Sequence, residues 1–366
     1  MSPKANSFLN NINSYKPGKS KISQNSEIET VKLSSNENAL GASPLAIEYF
    51  KGAGDKLSRY PDGSCADLKE KLSAKYDLNP DQITVGAGSD EIIALLAHGY
   101  AGVGDEVIYS EHGFLMYPIS TKRVGASAVK APEQNLKTDI SAIIAAITDK
   151  TKIIFIANPN NPTGSYITKD EANQLIDATP KNILIVFDHA YDEFVEADDY
   201  PDAFDLVKQN DNVVTTRTFS KIHGLASTRV GWCYSSKEVS EILGKIRGPF
   251  NVNGPAQAAA IGALEDDEFA NKSKAHNQKW LSAFKQELGE LDSIKLYDSV
   301  ANFVLSDFFS NEGASRINQS VLENGIIVRQ MDAYGLPSCL RVSIGNDQEN
   351  QKFLTTIKSL IWNARW

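Results

Sequence analysis

Five short runs of almost wholly apolar residues set the strongest limit on how this chain folds: Ile83-Thr84-Val85, Val107-Ile108-Tyr109, Ile153 to Ile156, Ile183 to Phe187 and Val213-Val214-Thr215. Turn residues bound them. Such runs are expected of strands buried on both faces of a mostly parallel sheet, with the segments between them forming crossover helices. The expected fold class is α/β. Ser43-Pro44 reads as the cap and first position of one helix, and Ser64 as the cap of another with Leu68, Leu72 and Tyr76 on one face. The pattern changes after Arg247-Gly248-Pro249-Phe250. An alanine-rich stretch from Ala256 to Ala263 and a polar helix over roughly Asp267 to Leu291 lead to strand-like segments near Phe303, Ile326 and Leu340, and a closing helix lies near Gln351 to Ile361. A chain of 366 residues has material for two cores. We expect an N-terminal arm (1–35), a large domain (36–250) and a smaller α+β domain (251–366).

Composition excludes some functions. The formal net charge is −9 and no Lys/Arg block stands out, which argues against a nucleic-acid partner. Three cysteines, Cys65, Cys233 and Cys339, show neither metal-ligand spacing nor a disulfide framework, so no metal is expected and a reducing compartment is. No apolar run approaches the ~18 residues of a membrane helix, so no membrane association and a cytoplasmic location are expected.

In open parallel sheets ligands sit at the carboxyl ends of strands, and four of these runs end in polar residues suited to chemistry. Gly86-Ala87-Gly88-Ser89-Asp90 places backbone N–H groups and a positive helix end where an anion can sit, although such a turn is more often plain geometry. Asn158-Pro159-Asn160-Asn161-Pro162-Thr163-Gly164 is a rigid turn whose Asn161 can donate to an oxygen on a flat cofactor. Asp188 follows five apolar residues and, if buried, needs a cationic partner such as a pyridinium nitrogen. Lys221 stands among the hydroxyls of Thr218, Ser220, Ser227 and Thr228, with Arg229 eight positions on. An amine beside a phosphate site is what pyridoxal 5'-phosphate needs, although the bland reading is a surface lysine. The histidines, including His189 and His223, have no required role.

With Asn161, Asp188, Tyr191, Lys221 and Arg229 in this order, the chain resembles the fold-type I pyridoxal-phosphate aminotransferases, class II subgroup, over nearly its whole length. Tyr15-Lys16-Pro17-Gly18-Lys19, Leu33 to Gly41, Arg59-Tyr60-Pro61-Asp62-Gly63 and Tyr334 through Gly345 are similar to signatures of the histidinol-phosphate aminotransferases among them. The resemblance implies a seven-stranded, mostly parallel sheet flanked by helices, with Lys221 bonded to the cofactor and Asp188 on its ring nitrogen. It implies Asn161 and Tyr191 at the phenolic oxygen, Phe114 stacked on the ring, and Ser89, Asp90, Thr218, Ser220 and Arg229 around the phosphate. Tyr60 would reach the neighbouring subunit's phosphate, making a homodimer. Arg341, Arg329, Tyr15 and Asn161 would hold substrate. The implied reaction joins histidinol phosphate and 2-oxoglutarate. An aromatic amino-acid aminotransferase or a threonine-phosphate decarboxylase would share the cofactor residues. A DNA-binding regulator on the same fold would need a DNA-binding extension, and the first 30 residues are too short and not basic enough to be one.

Overall fold

The computed structural model describes residues 3–12, 14, 18–19 and 30–363, without the side chains of Asn11, Trp362 and Asn363. Its larger sheet has seven strands: β1 (Ile83–Gly86), β2 (Glu106–Ser110), β3 (Ser127–Ala131), β4 (Thr151–Ala157), β5 (Leu184–Asp188), β6 (Val213–Thr218) and β7 (Gly231–Tyr234). They lie in the order β1-β7-β6-β5-β4-β2-β3. Only β7 runs antiparallel, to β1 and to β6; the other pairs are parallel. The apolar runs are explained by the two cores they feed. Ile183, Ile185 and Phe187 enter one, while Leu184 and Val186 enter the other, and β4 divides likewise. Every residue of β5 and β6 is buried. Two strands lacked an apolar run in the sequence. Edge strand β3 is half exposed, and β7 is a short Gly-Trp-Cys-Tyr segment after the Lys221 turn.

Helices α1 (Pro44–Gly52), α2 (Ala66–Tyr76), α3 (Ser89–Tyr100) and α4 (Met116–Arg123) belong to this body. Ser43 caps α1, accepting from the Ala46 N–H at 3.2 Å with Pro44 at the first position, as its sequence indicates. Ser64 does not cap α2. The Asp62 carboxylate takes that place, accepting from the N–H groups of Ser64 (2.9 Å) and Ala66 (2.7 Å) and from the Ser64 hydroxyl. A carboxylate reaching from the preceding turn outcompetes the nearer hydroxyl because it is charged and meets the positive helix end.

A four-stranded antiparallel sheet follows, β8 (Lys295–Tyr297), β9 (Phe303–Asp307), β10 (Arg329–Met331) and β11 (Leu336–Ser343), in the order β8-β9-β11-β10. It shares a separate core with the long helix Asp267–Gly289 and the closing helix Asp347–Asn363. The alanine-rich stretch becomes α5 (Gly254–Glu265), whose Ala256, Ala259, Ala260 and Ala263 enter the core of the larger sheet against α1 and α2. The expected division at 250/251 thus falls just before a helix that packs with the first body. Val31–Lys32 pairs in parallel with Ile326–Ile327, attaching the end of the arm to the second body.

Two histidines are sealed in this framework. His189 is fully buried with Nδ1 2.7 Å from the Thr215 hydroxyl, and burial, aided by the Arg217 charge, pushes its pKa down to about 3. Burial likewise takes His223 down to about 4. Both folded values lie below the unfolded value near 6.5, so their stabilisation is complete above that pH and is lost as pH falls and the unfolded chain takes up protons. At pH 5 each should have removed about 2 kcal/mol. The melting temperature should therefore drop between pH 7 and pH 5, and His189→Gln should flatten the drop; an unchanged slope in that variant would refute the assignment.

Candidate active site

Strands β1, β2, β4, β5 and β6 deliver their carboxyl ends to one edge of the larger sheet, and β10 and β11 close over it. Between them lies a cavity of ≈ 290 Å³, at the small end of the roughly 300–1,000 Å³ typical of small-molecule sites. The site residues expected from the sequence line it except Tyr15 and Tyr60, and except two of the hydroxyls near Lys221, Ser227 and Thr228, of which Thr228 instead donates to the Leu225 carbonyl at 2.8 Å. Tyr15 lies outside the described residues. Tyr60 is 82% exposed and stacks on Phe250, ring centroids 4.7 Å apart, away from its own chain's cavity.

One end of the cavity is built for an anion. Gly88 precedes α3 at φ 93°, a backbone that residues with a side chain rarely adopt, and a Cβ there would press on the side-chain ends of Arg229 and Asp90. Arg229 itself has a left-handed backbone, φ 59°, and its guanidinium meets the Asp90 carboxylate at 2.6 Å. With that carboxylate engaged, Asp90 can offer an anion only its backbone N–H, beside that of Ser89 at the positive end of a 12-residue helix. Hydroxyls of Thr218 and Ser220 line the same cavity.

At the floor Asp188, 4% exposed, ends β5. Tyr117 and Thr216 each donate a hydroxyl to one of its oxygens at 2.9 Å. Burial pushes the Asp188 pKa up, and these donors and the Lys221 charge only partly offset it. Among the described residues this buried carboxylate has two neutral hydroxyls and no ion pair, and a protonated ring nitrogen suits that place. Tyr117 and Thr216 were not foreseen. Thr216 carries a readable signal, a polar residue inside a buried strand directly opposite Asp188. Tyr117 carries none, because its hydroxyl reaches Asp188 only once α4 packs with Tyr117 stacked on Phe155, centroids 4.9 Å apart.

Lys221 Nζ lies 5.5 Å from the centre of the Tyr191 ring. The Tyr191 hydroxyl accepts from Asn36 Nδ2 at 3.0 Å, and Asn36 lines the cavity although sequence reasoning gave it no role. The three asparagines of the 158–164 turn divide their work. Asn158 Oδ1 accepts from the Ile167 N–H at 2.9 Å and Asn160 Nδ2 donates to the Thr163 hydroxyl at 3.0 Å, so both hold the turn. Asn161 faces the cavity, where its Oδ1 accepts from Arg341 Nη1. Arg341 also donates to the Ser34 carbonyl at 3.1 Å and lies over Phe303. Across the strand pair β10–β11, Arg329 stands directly opposite Arg341, and both line the cavity. Like charges set opposite one another are unfavourable by themselves, so this register favours an anion between or beside them. Among the described residues no cluster of His, Cys, Asp and Glu could hold a metal ion.

The cavity thus offers an anion cradle, a buried carboxylate and an amine, arranged along one sheet edge. These donors fit pyridoxal phosphate. Residues 28–357 match the profile of the aminotransferases of class I and II. The histidinol-phosphate aminotransferase of Rhodopseudomonas palustris (strain TIE-1) is 43% identical over 98% of this chain and 98% of its own. The chain belongs to the histidinol-phosphate aminotransferase family. Another family member, from Rhodospirillum centenum, is 46% identical over 88% of this chain and 89% of its own. Among solved structures, the histidinol-phosphate aminotransferase of Sinorhizobium meliloti in complex with pyridoxal-5'-phosphate superposes with a TM-score of 0.84 at 26% identity, covering 91% of this chain and 92% of that one.

Proposed function

We propose that the enzyme uses pyridoxal 5'-phosphate to move the amino group of L-histidinol phosphate to 2-oxoglutarate, giving imidazole acetol phosphate and L-glutamate in histidine biosynthesis. The observation that carries the substrate is the Arg329–Arg341 register at the cavity. Histidinol phosphate brings a phosphate and no carboxylate, whereas glutamate brings two carboxylates and no phosphate. One pocket must accept both anions, and two guanidinium forks can pair with either.

When bound, the cofactor supplies an electron sink for the pair left on the substrate Cα. In our reading Ser89, the Asp90 N–H, Thr218, Ser220 and Arg229 bind its phosphate, Phe114 stacks on its ring, and Asn161 and Tyr191 hold its phenolic oxygen. Asp188, ionised, keeps the proton on the ring nitrogen. Lys221 Nζ would take the proton from the substrate Cα as general base and, once protonated, serve as the general acid that returns it. The same groups serve both half-reactions, which predicts ping-pong kinetics. Tyr60, exposed on its own chain with Leu57 (72%) and Phe250 (43%), would complete the partner's phosphate site in a homodimer. Three buried free thiols suit the reducing cytoplasm.

The deciding experiment compares kcat/KM for histidinol phosphate, phenylalanine and tyrosine with 2-oxoglutarate as acceptor, in the native enzyme and in Arg329→Ala. Histidinol phosphate should be preferred. The variant should lose roughly ten- to a hundredfold in kcat/KM for it, the effect of a charge-assisted contact worth ~1.5–3 kcal/mol, and much less for phenylalanine. A native preference for either aromatic amino acid would replace our substrate with that one.

A further inference from the structure

Asn36 is 1% exposed, holds a left-handed backbone (φ 53°) and sits where the second body meets the cavity. Its hydrogen bonds form a chain whose polarity is fixed from one end. The Asn36 backbone N–H, which can only donate, reaches the Ser343 hydroxyl at 2.8 Å. That oxygen therefore accepts, and its own hydrogen goes to Asn36 Oδ1, also at 2.8 Å. The Asn36 amide is thereby oriented with its oxygen toward Ser343 and its nitrogen toward Tyr191. Nδ2 can only donate, so the Tyr191 oxygen accepts at 3.0 Å and the Tyr191 hydrogen must point elsewhere. Tyr191 and Lys221 line the same cavity.

We infer that Asn36 is a positioning residue that sets the direction of the Tyr191 hydroxyl, aiming its hydrogen at the cofactor's phenolic oxygen, and that Ser343 sets the direction of Asn36. Ser343 lies two residues from Arg341 on β11, so the strand carrying a substrate arginine also fixes the proton at the cofactor. The inference rests on the reading of Tyr191 as a contact of that oxygen.

The test uses Asn36→Asp, which is nearly isosteric but replaces the donor by an acceptor. The aspartate would draw the Tyr191 hydrogen toward itself and leave the cofactor oxygen without it. A donor stabilises negative charge on the oxygen it faces, so its loss should move the pH midpoint of the bound cofactor's visible absorbance upward by about one pH unit. Tyr191→Phe should move it the same way, and the double variant should add little. Asn36→Gly, which accepts the left-handed backbone without strain, should give a smaller move in the same direction and guards against misfolding of the aspartate variant. Melting of the cofactor-free proteins is measured alongside. If both Asn36 variants keep the native midpoint while Tyr191→Phe moves it, Asn36 is only a structural brace and the inference falls, whatever the melting temperatures. If Tyr191→Phe itself leaves the midpoint in place, the reading of Tyr191 fails first and takes the inference with it.

Discussion

Lys221→Ala should lower kcat by at least about 10⁴-fold, because in the proposed mechanism one nitrogen performs two jobs that no neighbour can take over. Among the described residues lining the cavity, Lys221 is the only lysine, and the three arginines there stay protonated and cannot act as bases. His189 and His223, buried in the frame, do not line it. The variant should still bind pyridoxal phosphate, more weakly, through the cradle at Ser89, Thr218, Ser220 and Arg229, but without the covalent hold and its visible absorbance. Lys221→Arg should not rescue the rate. Turnover within tenfold of native in Lys221→Ala would place the proton transfer on another group and overturn the mechanism.

Much of this site was readable because its parts are local. A strand end, a turn and a helix start each occupy fewer than ten residues, and the chemistry of Gly88-Ser89-Asp90, Asn158 to Gly164, Asp188 and Ser220-Lys221 is visible in residue type. Groups that work only through packing were not. Tyr117 reaches Asp188 from a helix 71 positions away in sequence, and Asn36 meets Ser343 across 307. The Arg329–Arg341 opposition needed the β10–β11 register, which bulges between Gln330 and Met331 and cannot be counted off the sequence. The fold shows the same division. Most strands buried on both faces declare themselves by composition, while edge strand β3 is half exposed and β7, though buried throughout, is a four-residue segment that opens on a glycine. Asp62 displaced Ser64 as a cap for a related reason, since charge reaching back from a turn is not part of a residue's own propensity.

Asp188→Asn should divide stability from activity. In the cofactor-free protein the native carboxylate is buried with a pKa above its unfolded value. Such a group favours folding most below the unfolded value, and that contribution is lost as pH rises through the folded one, so at pH 7 an ionised Asp188 opposes folding. Asparagine removes this charge at nearly constant volume and still offers an oxygen to Tyr117 or Thr216. The cofactor-free variant should therefore melt at or above the native temperature at pH 7. With cofactor bound the order should reverse, because the variant has no negative charge to keep the ring nitrogen protonated, and kcat should fall by about 10²–10³-fold, the scale for removing one preorganised electrostatic contact. Asp188→Glu keeps the charge but adds a methylene to a packed site, so it should retain more activity than the asparagine variant and lose stability in both states. A loaded Asp188→Asn enzyme that melts with the native one and turns over within tenfold of it would show that the carboxylate does not hold the ring nitrogen's proton. The opposite signs with and without cofactor are what a buried charge kept for function requires, since it costs stability in the empty protein and is neutralised only when the group is bound.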